Sequence, residues 1–113
     1  MTIYTGDWAV ENYNGLKDQD ALCADFQIDS SKLKDCDVLL ACYTYESYDG
    51  SAFVLFKKDD TLYEVVGGHC SCYGLEGQWE PEVTTFEALR QGLETRYEVE
   101  FCREQLRQVL DRV

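Results

Sequence analysis

The sequence predicts an α+β fold in a single domain over residues 1–113: a three-stranded antiparallel meander with one N-terminal helix and two C-terminal helices packed on one face of the sheet. Three observations predict it. Residues 38–66 are rich in Tyr, Val, Leu and Phe and are interrupted by two short turn signals. The segments on either side change to the 3-to-4 apolar spacing of helices. Apolar residues make up 45% of the chain and aromatics 13%, enough to build a core and too much for a disordered segment.

The elements follow in order. Asp18 to Ile28 reads as a short helix, from the partial 3-to-4 pattern at positions 21, 22, 25 and 26. Ser30 or Ser31 is placed to cap a further turn through Leu33. The first strand is Val38 to Tyr48, with Tyr43 and Tyr45 on one face and Cys42 and Thr44 on the other. Tyr48-Asp49-Gly50-Ser51 is the first turn, since Asp-Gly supplies the left-handed conformations of a hairpin. Ala52 to Lys57 is the second strand, Lys58-Asp59-Asp60-Thr61 the second turn and Leu62 to Val66 the third strand. Gly67-Gly68 permits a bend or bulge at its end.

His69 to Pro81 is Gly-rich and aperiodic, and reads as an ordered loop or short strand pinned by Tyr73, Leu75 and Trp79. Thr84 followed by Glu87 fits a capping box, which opens a helix with the stripe Phe86, Leu89, Leu93. A second stripe, Cys102, Leu106, Val109, Val113, is out of phase with the first, so the helix breaks near Thr95, eased by Gly92.

The chain carries 22 acidic and 10 basic residues, a net charge of −12. Such a chain cannot neutralise phosphates over a broad surface, which argues against direct nucleic-acid binding and against an anionic membrane surface. No apolar run approaches the roughly 20 residues of a membrane span, and the N-terminus lacks the order of a secretion signal. The excess is concentrated in residues 1–86, which carry 16 acids and five lysines; all five arginines lie in residues 87–113, where they suit a salt-bridged helical face.

There are six cysteines: Cys23, Cys36, Cys42, Cys70, Cys72 and Cys102. Without a secretion signal, six reduced thiols in a cytoplasm are expected, with most of them acting as small buried hydrophobes. The one tight cluster, His69-Cys70-Ser71-Cys72, puts Cys70 and Cys72 on one face of a strand and His69 on the other. It lacks a second ligand pair at zinc-site spacing, so no metal and no cofactor are expected. Sequence neighbours on a strand also point apart, which argues against a Cys–His dyad. No phosphate-binding loop, nucleophile elbow or dinucleotide fingerprint occurs, so no catalytic residues are assigned.

The run Gly68-His69-Cys70-Ser71-Cys72-Tyr73-Gly74-Leu75-Glu76-Gly77-Gln78-Trp79-Glu80-Pro81-Glu82 resembles a segment of uncharacterised small proteins of phages and prophages, and with the preceding hairpin the resemblance covers roughly residues 37–90. It implies a phage or prophage setting in a bacterial cytoplasm and brings no activity with it. In general character the chain is similar to anti-CRISPR and anti-restriction inhibitors, many of which mimic DNA.

The spacing of acids gives that analogy physical content. Strand residues i and i+2 share a face at about twice the roughly 3.3 Å rise per residue, close to the separation of adjacent phosphates along a DNA strand. Glu80 and Glu82 have this spacing, with Glu76 upstream. Asp18, Asp25 and Asp29 stand at helical offsets on one face. Asp59, Asp60 and Glu64 cluster near the second turn. These nine acids are the expected partner-binding residues. The expected partner is a basic nucleic-acid-binding protein of a host defence complex, engaged by a monomer or weak dimer. Two alternatives stand beside this reading: a metal- or thiol-dependent domain using His69, Cys70 and Cys72, and a phage accessory module that binds through Tyr43, Tyr45, Tyr48 and Trp79.

Overall fold

A computed structural model of the chain describes residues 3–11, 14–46, 49–70 and 74–112, giving only the backbone of Asp7, Tyr45, Glu46, Asp49, His69 and Cys70. The fold is α+β. Among these residues a five-stranded sheet runs in the order β1 (Ile3–Gly6), β2 (Asp37–Glu46), β3 (Asp49–Lys58), β4 (Thr61–Cys70), β5 (Glu82–Thr84). The helices are α1 (Gln19–Phe26), α2 (Phe86–Gly92) and α3 (Arg103–Leu110), with 3-10 turns at Asp7–Ala9, Ser30–Leu33 and Tyr97–Cys102.

The expected meander is β2–β3–β4, antiparallel throughout, but it is extended at both edges. β1 adds in parallel to β2, with Ile3 opposite Leu40 and Gly6 opposite Tyr43. A parallel neighbour requires a crossover, and residues 7–36, including α1, provide it. β5 adds antiparallel to β4 over three residue pairs, Leu62–Thr84, Tyr63–Val83 and Glu64–Glu82. Gly6 is irreplaceable at the end of β1: its φ is +69°, and a Cβ there would lie 1.7 Å from the Tyr43 carbonyl oxygen.

The helices cover both faces of the sheet, not one. On the first face Ala41, Ala52, Val54, Phe56 and Val65 pack with Trp8, the α1 residues Ala21, Leu22, Cys23 and Phe26, and Leu75. On the second, Leu40, Cys42, Phe53, Leu55 and Leu62 pack with Leu89, Leu93, Val99, Cys102, Leu106, Val109 and Leu110. The uninterrupted run Ala52-Phe53-Val54-Leu55-Phe56 is the reason, because every residue of it is buried and both faces therefore need a cover. A register shift between Val38 and Leu40 inverts the alternation of β2, so Val38 joins the first core while Leu40 and Cys42 join the second.

Several boundaries differ from expectation. The turn expected at Tyr48-Asp49-Gly50-Ser51 is displaced: Asp49, Gly50 and Ser51 are strand residues paired with Glu46, Tyr45 and Thr44, and Tyr48 lies outside the described residues. Gly67 and Gly68 do not bend β4, which stays in register with β3 through Cys70. Gly67 instead allows a close approach, since a Cβ there would meet Leu75 Cδ2 at 3.0 Å and Gln78 Oε1 at 3.3 Å. The cap of α2 is Thr85, whose hydroxyl accepts from the Ala88 N–H at 3.0 Å; Thr84 ends β5. The break near Thr95 is present, and the chain resumes as the 3-10 turn that leads into α3.

The second turn lies where expected. Lys58 pairs with Thr61, leaving a two-residue loop in which Asp59 and Asp60 have φ of 51° and 64°. Both angles positive is the pattern that favours Asn-Gly. Replacing Asp59 by Asn together with Asp60 by Gly should raise stability by about 0.5–1 kcal/mol, read as a higher urea midpoint at unchanged slope. A lower midpoint would show that the aspartates serve the fold through something other than backbone conformation.

Candidate functional site

The segment from Gly77 to Glu82 forms the rim of the sheet beside β4. Gln78 fixes it. Its amide nitrogen donates to the carbonyl oxygens of Gly68 (2.6 Å) and Gly74 (2.8 Å), and its Oε1 accepts from the Gly68 N–H at 2.8 Å. One side chain thus continues the ladder beyond the point where β5 ends.

From this rim, Gln78, Glu80 and Glu82 line a cleft of about 230 Å³, closed by Glu64 and Val66 of β4 and by Gly77. Glu82 lies directly opposite Glu64 in the β4–β5 pair. Two carboxylates facing each other across a strand pair repel. Arg96 relieves this: its Nη1 donates to Glu64 Oε1 at 3.0 Å and its Nη2 to Oε2 at 2.6 Å. The same guanidinium donates through Nε to Glu98 at 3.1 Å, and the Glu64 hydrogen bonds hold its pKa above the ordinary arginine value despite partial burial. Glu64 is only 8% exposed, so its charge serves this fork. Glu76, Glu80 and Glu82 are exposed, and among the described residues no lysine or arginine nitrogen lies within 4.0 Å of them. Glu76 does accept from the Gly74 N–H at 3.3 Å.

Of the nine predicted acids, the fold therefore gathers Glu64, Glu80 and Glu82 in one cleft, with Glu76 on the adjoining loop. The others lie elsewhere. Asp59 and Asp60 form the exposed tip of the β3–β4 turn. Asp18, Asp25 and Asp29 do not share a helix face, because α1 stops at Phe26 and Gln27 adopts a left-handed conformation. Asp18 precedes the helix with φ +57°. Asp25 accepts a 2.7 Å hydrogen bond from the Trp8 indole. Asp29 caps the Ser30–Leu33 turn, and the Ser31 N–H, at 2.9 Å, holds its pKa below the usual carboxylate range. Asp25 and Asp29 thus have structural work that the spacing did not reveal.

The arginines follow the expected pattern. Arg107 pairs with Glu94 and Glu104, Arg103 donates to the Leu93 carbonyl at 2.7 Å, and Arg90 donates to the Leu110 carbonyl at 3.1 Å. They tie the C-terminal layer together and leave the acids of the rim uncompensated.

Cys23, Cys36, Cys42 and Cys102 are free thiols. Cys42 and Cys102 meet inside the second core and share a thiol–thiol hydrogen bond, which with burial pushes Cys102 up. Among the described residues no group of three metal-binding side chains converges, and the expectation for His69, Cys70 and Cys72 falls on side chains outside the described ones. Tyr43 is half-buried and stacked on Trp8 with ring centres 5.0 Å apart, so it offers no free aromatic patch; Tyr48 and the Tyr45 ring lie outside the description. No described helix is long and apolar enough to cross a membrane.

Comparison with protein-family models, curated proteins and solved structures finds no match to this chain.

Proposed function

We propose that the protein is a small acidic inhibitor of the phage type, which occupies a basic nucleic-acid-binding site of a bacterial defence complex as a DNA mimic. One observation supports this above the others. Glu80 and Glu82, at the i, i+2 spacing, stand exposed and uncompensated on a rim whose backbone is fixed by Gln78 and β5. Carboxylates held in place meet a preformed groove of Arg and Lys at a low ordering cost. The phage or prophage setting expected from residues 37–90 is part of the same proposal, and the net charge of −12 steers the chain toward basic surfaces.

The test is inhibition of DNA binding by purified CRISPR surveillance complexes and restriction enzymes, each with its labelled target duplex. The protein should displace DNA from at least one of them, and less well as salt rises. Reversing Glu76, Glu80 and Glu82 to Lys should abolish the displacement. A contact in a desolvated groove costs about 2 kcal/mol or more, so three together should weaken binding more than about 1,000-fold, whereas solvated rim charges would cost a few tenths each. Asp25 is excluded from the reversal set, because it accepts from the Trp8 indole and its reversal would cost stability for unrelated reasons. Inhibition that survives the triple reversal, with DNA never competing, would falsify mimicry.

A further inference from the structure

The residues alternating with Gln78, Glu80 and Glu82 face the opposite side of the rim. There Trp79 and Pro81, with Phe56 of β3 and Tyr63 of β4, border a second cleft of about 330 Å³, completed by Lys32, Cys36 and Lys58. Its aromatic wall is ordered. Phe56, 4% exposed, has its ring within 19° of the Tyr63 plane at 5.3 Å and within 10° of the Trp79 plane at 5.8 Å. Phe26 meets Trp79 edge-on at 5.1 Å and fixes it from behind. Tyr63 and Trp79 are half-exposed.

The charge of this cleft is opposite to that of the molecule. Two of the five lysines line it and, among the described residues, no acid does, in a chain with 22 acids. Neither ammonium has a carboxylate within 4.0 Å among the described residues. Asp29, Asp35 and Asp59 are close enough to be felt by Lys32 or Cys36, but none reaches the lining.

We infer that this cleft binds a nucleoside monophosphate, with the base against the Tyr63 and Trp79 rings and the phosphate between Lys32 and Lys58. Tyr63 and Trp79, each ordered by stacking on Phe56 and each partly exposed, favour a flat aromatic guest. Two unpaired ammoniums select an anion and reject a cation, for which an aromatic box would otherwise be suited. The volume is at the small end of ligand sites, in the range of a single nucleotide. The inference is independent of mimicry: it uses the other side of the rim and the opposite charge.

The experiment is titration of the full chain with AMP, GMP, adenosine and inorganic phosphate, followed by tryptophan fluorescence and by NMR shifts of the two indole N–H signals. AMP or GMP should saturate with Kd of roughly 0.1–1 mM and shift the Trp79 signal while leaving that of buried Trp8 in place. Adenosine should bind about 10-fold more weakly and without salt dependence, and phosphate alone should give no saturable change. The double variant Lys32→Gln, Lys58→Gln keeps both exposed stems, so it should fold normally by circular dichroism and bind AMP about 10-fold more weakly. No saturation by either nucleotide, shifts that map away from Trp79, or unchanged affinity in the double variant would each overturn the assignment.

Discussion

Trp8→Ala should cost about 4 kcal/mol of unfolding free energy and lower the melting temperature by roughly 15 °C. Trp8 is 1% exposed, packs on Phe26 at 6.0 Å and on Tyr43 at 5.0 Å, and joins the 3-10 turn after β1 to α1 through its bond to Asp25. Truncation opens a cavity in the first core and also leaves a half-buried carboxylate without its indole donor. The two losses are separable. Trp8→Phe keeps most of the packing and removes only the donor, so it should cost about 1–2 kcal/mol. Urea unfolding of both variants checks this. Total stabilities of such domains are about 5–15 kcal/mol, so the alanine variant would lie near the edge of folding. A cost for Trp8→Ala no larger than that for Trp8→Phe would mean that the first core closes without the indole ring.

Arg96→Ala is the second large loss, about 3 kcal/mol, since it strands the buried Glu64 carboxylate opposite Glu82. Arg96→Lys should recover part of it, because an ammonium restores the charge but not the two-pronged donor geometry. Replacing both Glu64 and Arg96 by Leu should recover most of it, because a buried pair exchanged for apolar side chains leaves no unpaired charge. The double-mutant cycle therefore distinguishes the pair from generic damage to the α2–α3 connection. If Arg96→Ala were neutral, water would be reaching Glu64, and the cleft would be more open than its 8% exposure indicates.

Much of the fold was legible because its signals are local. The meander follows from strand composition and turn signals, and the β3–β4 connection, Asp59-Asp60, is two residues long as such turns require. The short helix after Asp18 and the break between the C-terminal stripes follow from 3.6-residue periodicity. The missing parts depend on distant partners. Ile3-Tyr4-Thr5 is too short to read as a strand until Leu40-Ala41-Cys42 is beside it. The expectation of helices on one face failed at the unbroken apolar run 52–56, because periodicity does not distinguish one covered face from two. At the candidate site, the Glu80–Glu82 spacing was readable as a pattern of period two. The Glu64–Arg96 fork and the Lys32–Lys58 pairing span many residues, and no spacing rule connects them. Asp25 misled for a related reason: its helical offset from Asp18 and Asp29 said nothing of the indole it serves.

The rim from Gln78 to Glu82 is a partition one chain thick, with carboxylates on one side and Trp79 and Pro81 on the other. Side chains of an extended segment reverse sides with each residue, so the two clefts are written in a single reading frame. Point substitutions change one cleft at a time. A single-residue insertion between Gln78 and Trp79 changes both at once, turning carboxylates toward Lys32 and Lys58 and the indole toward Glu64. Three residue pairs of β5 are a weak barrier to such a slip. The Gln78 side chain, clamped on both the N–H and the carbonyl of Gly68, is what keeps the frame.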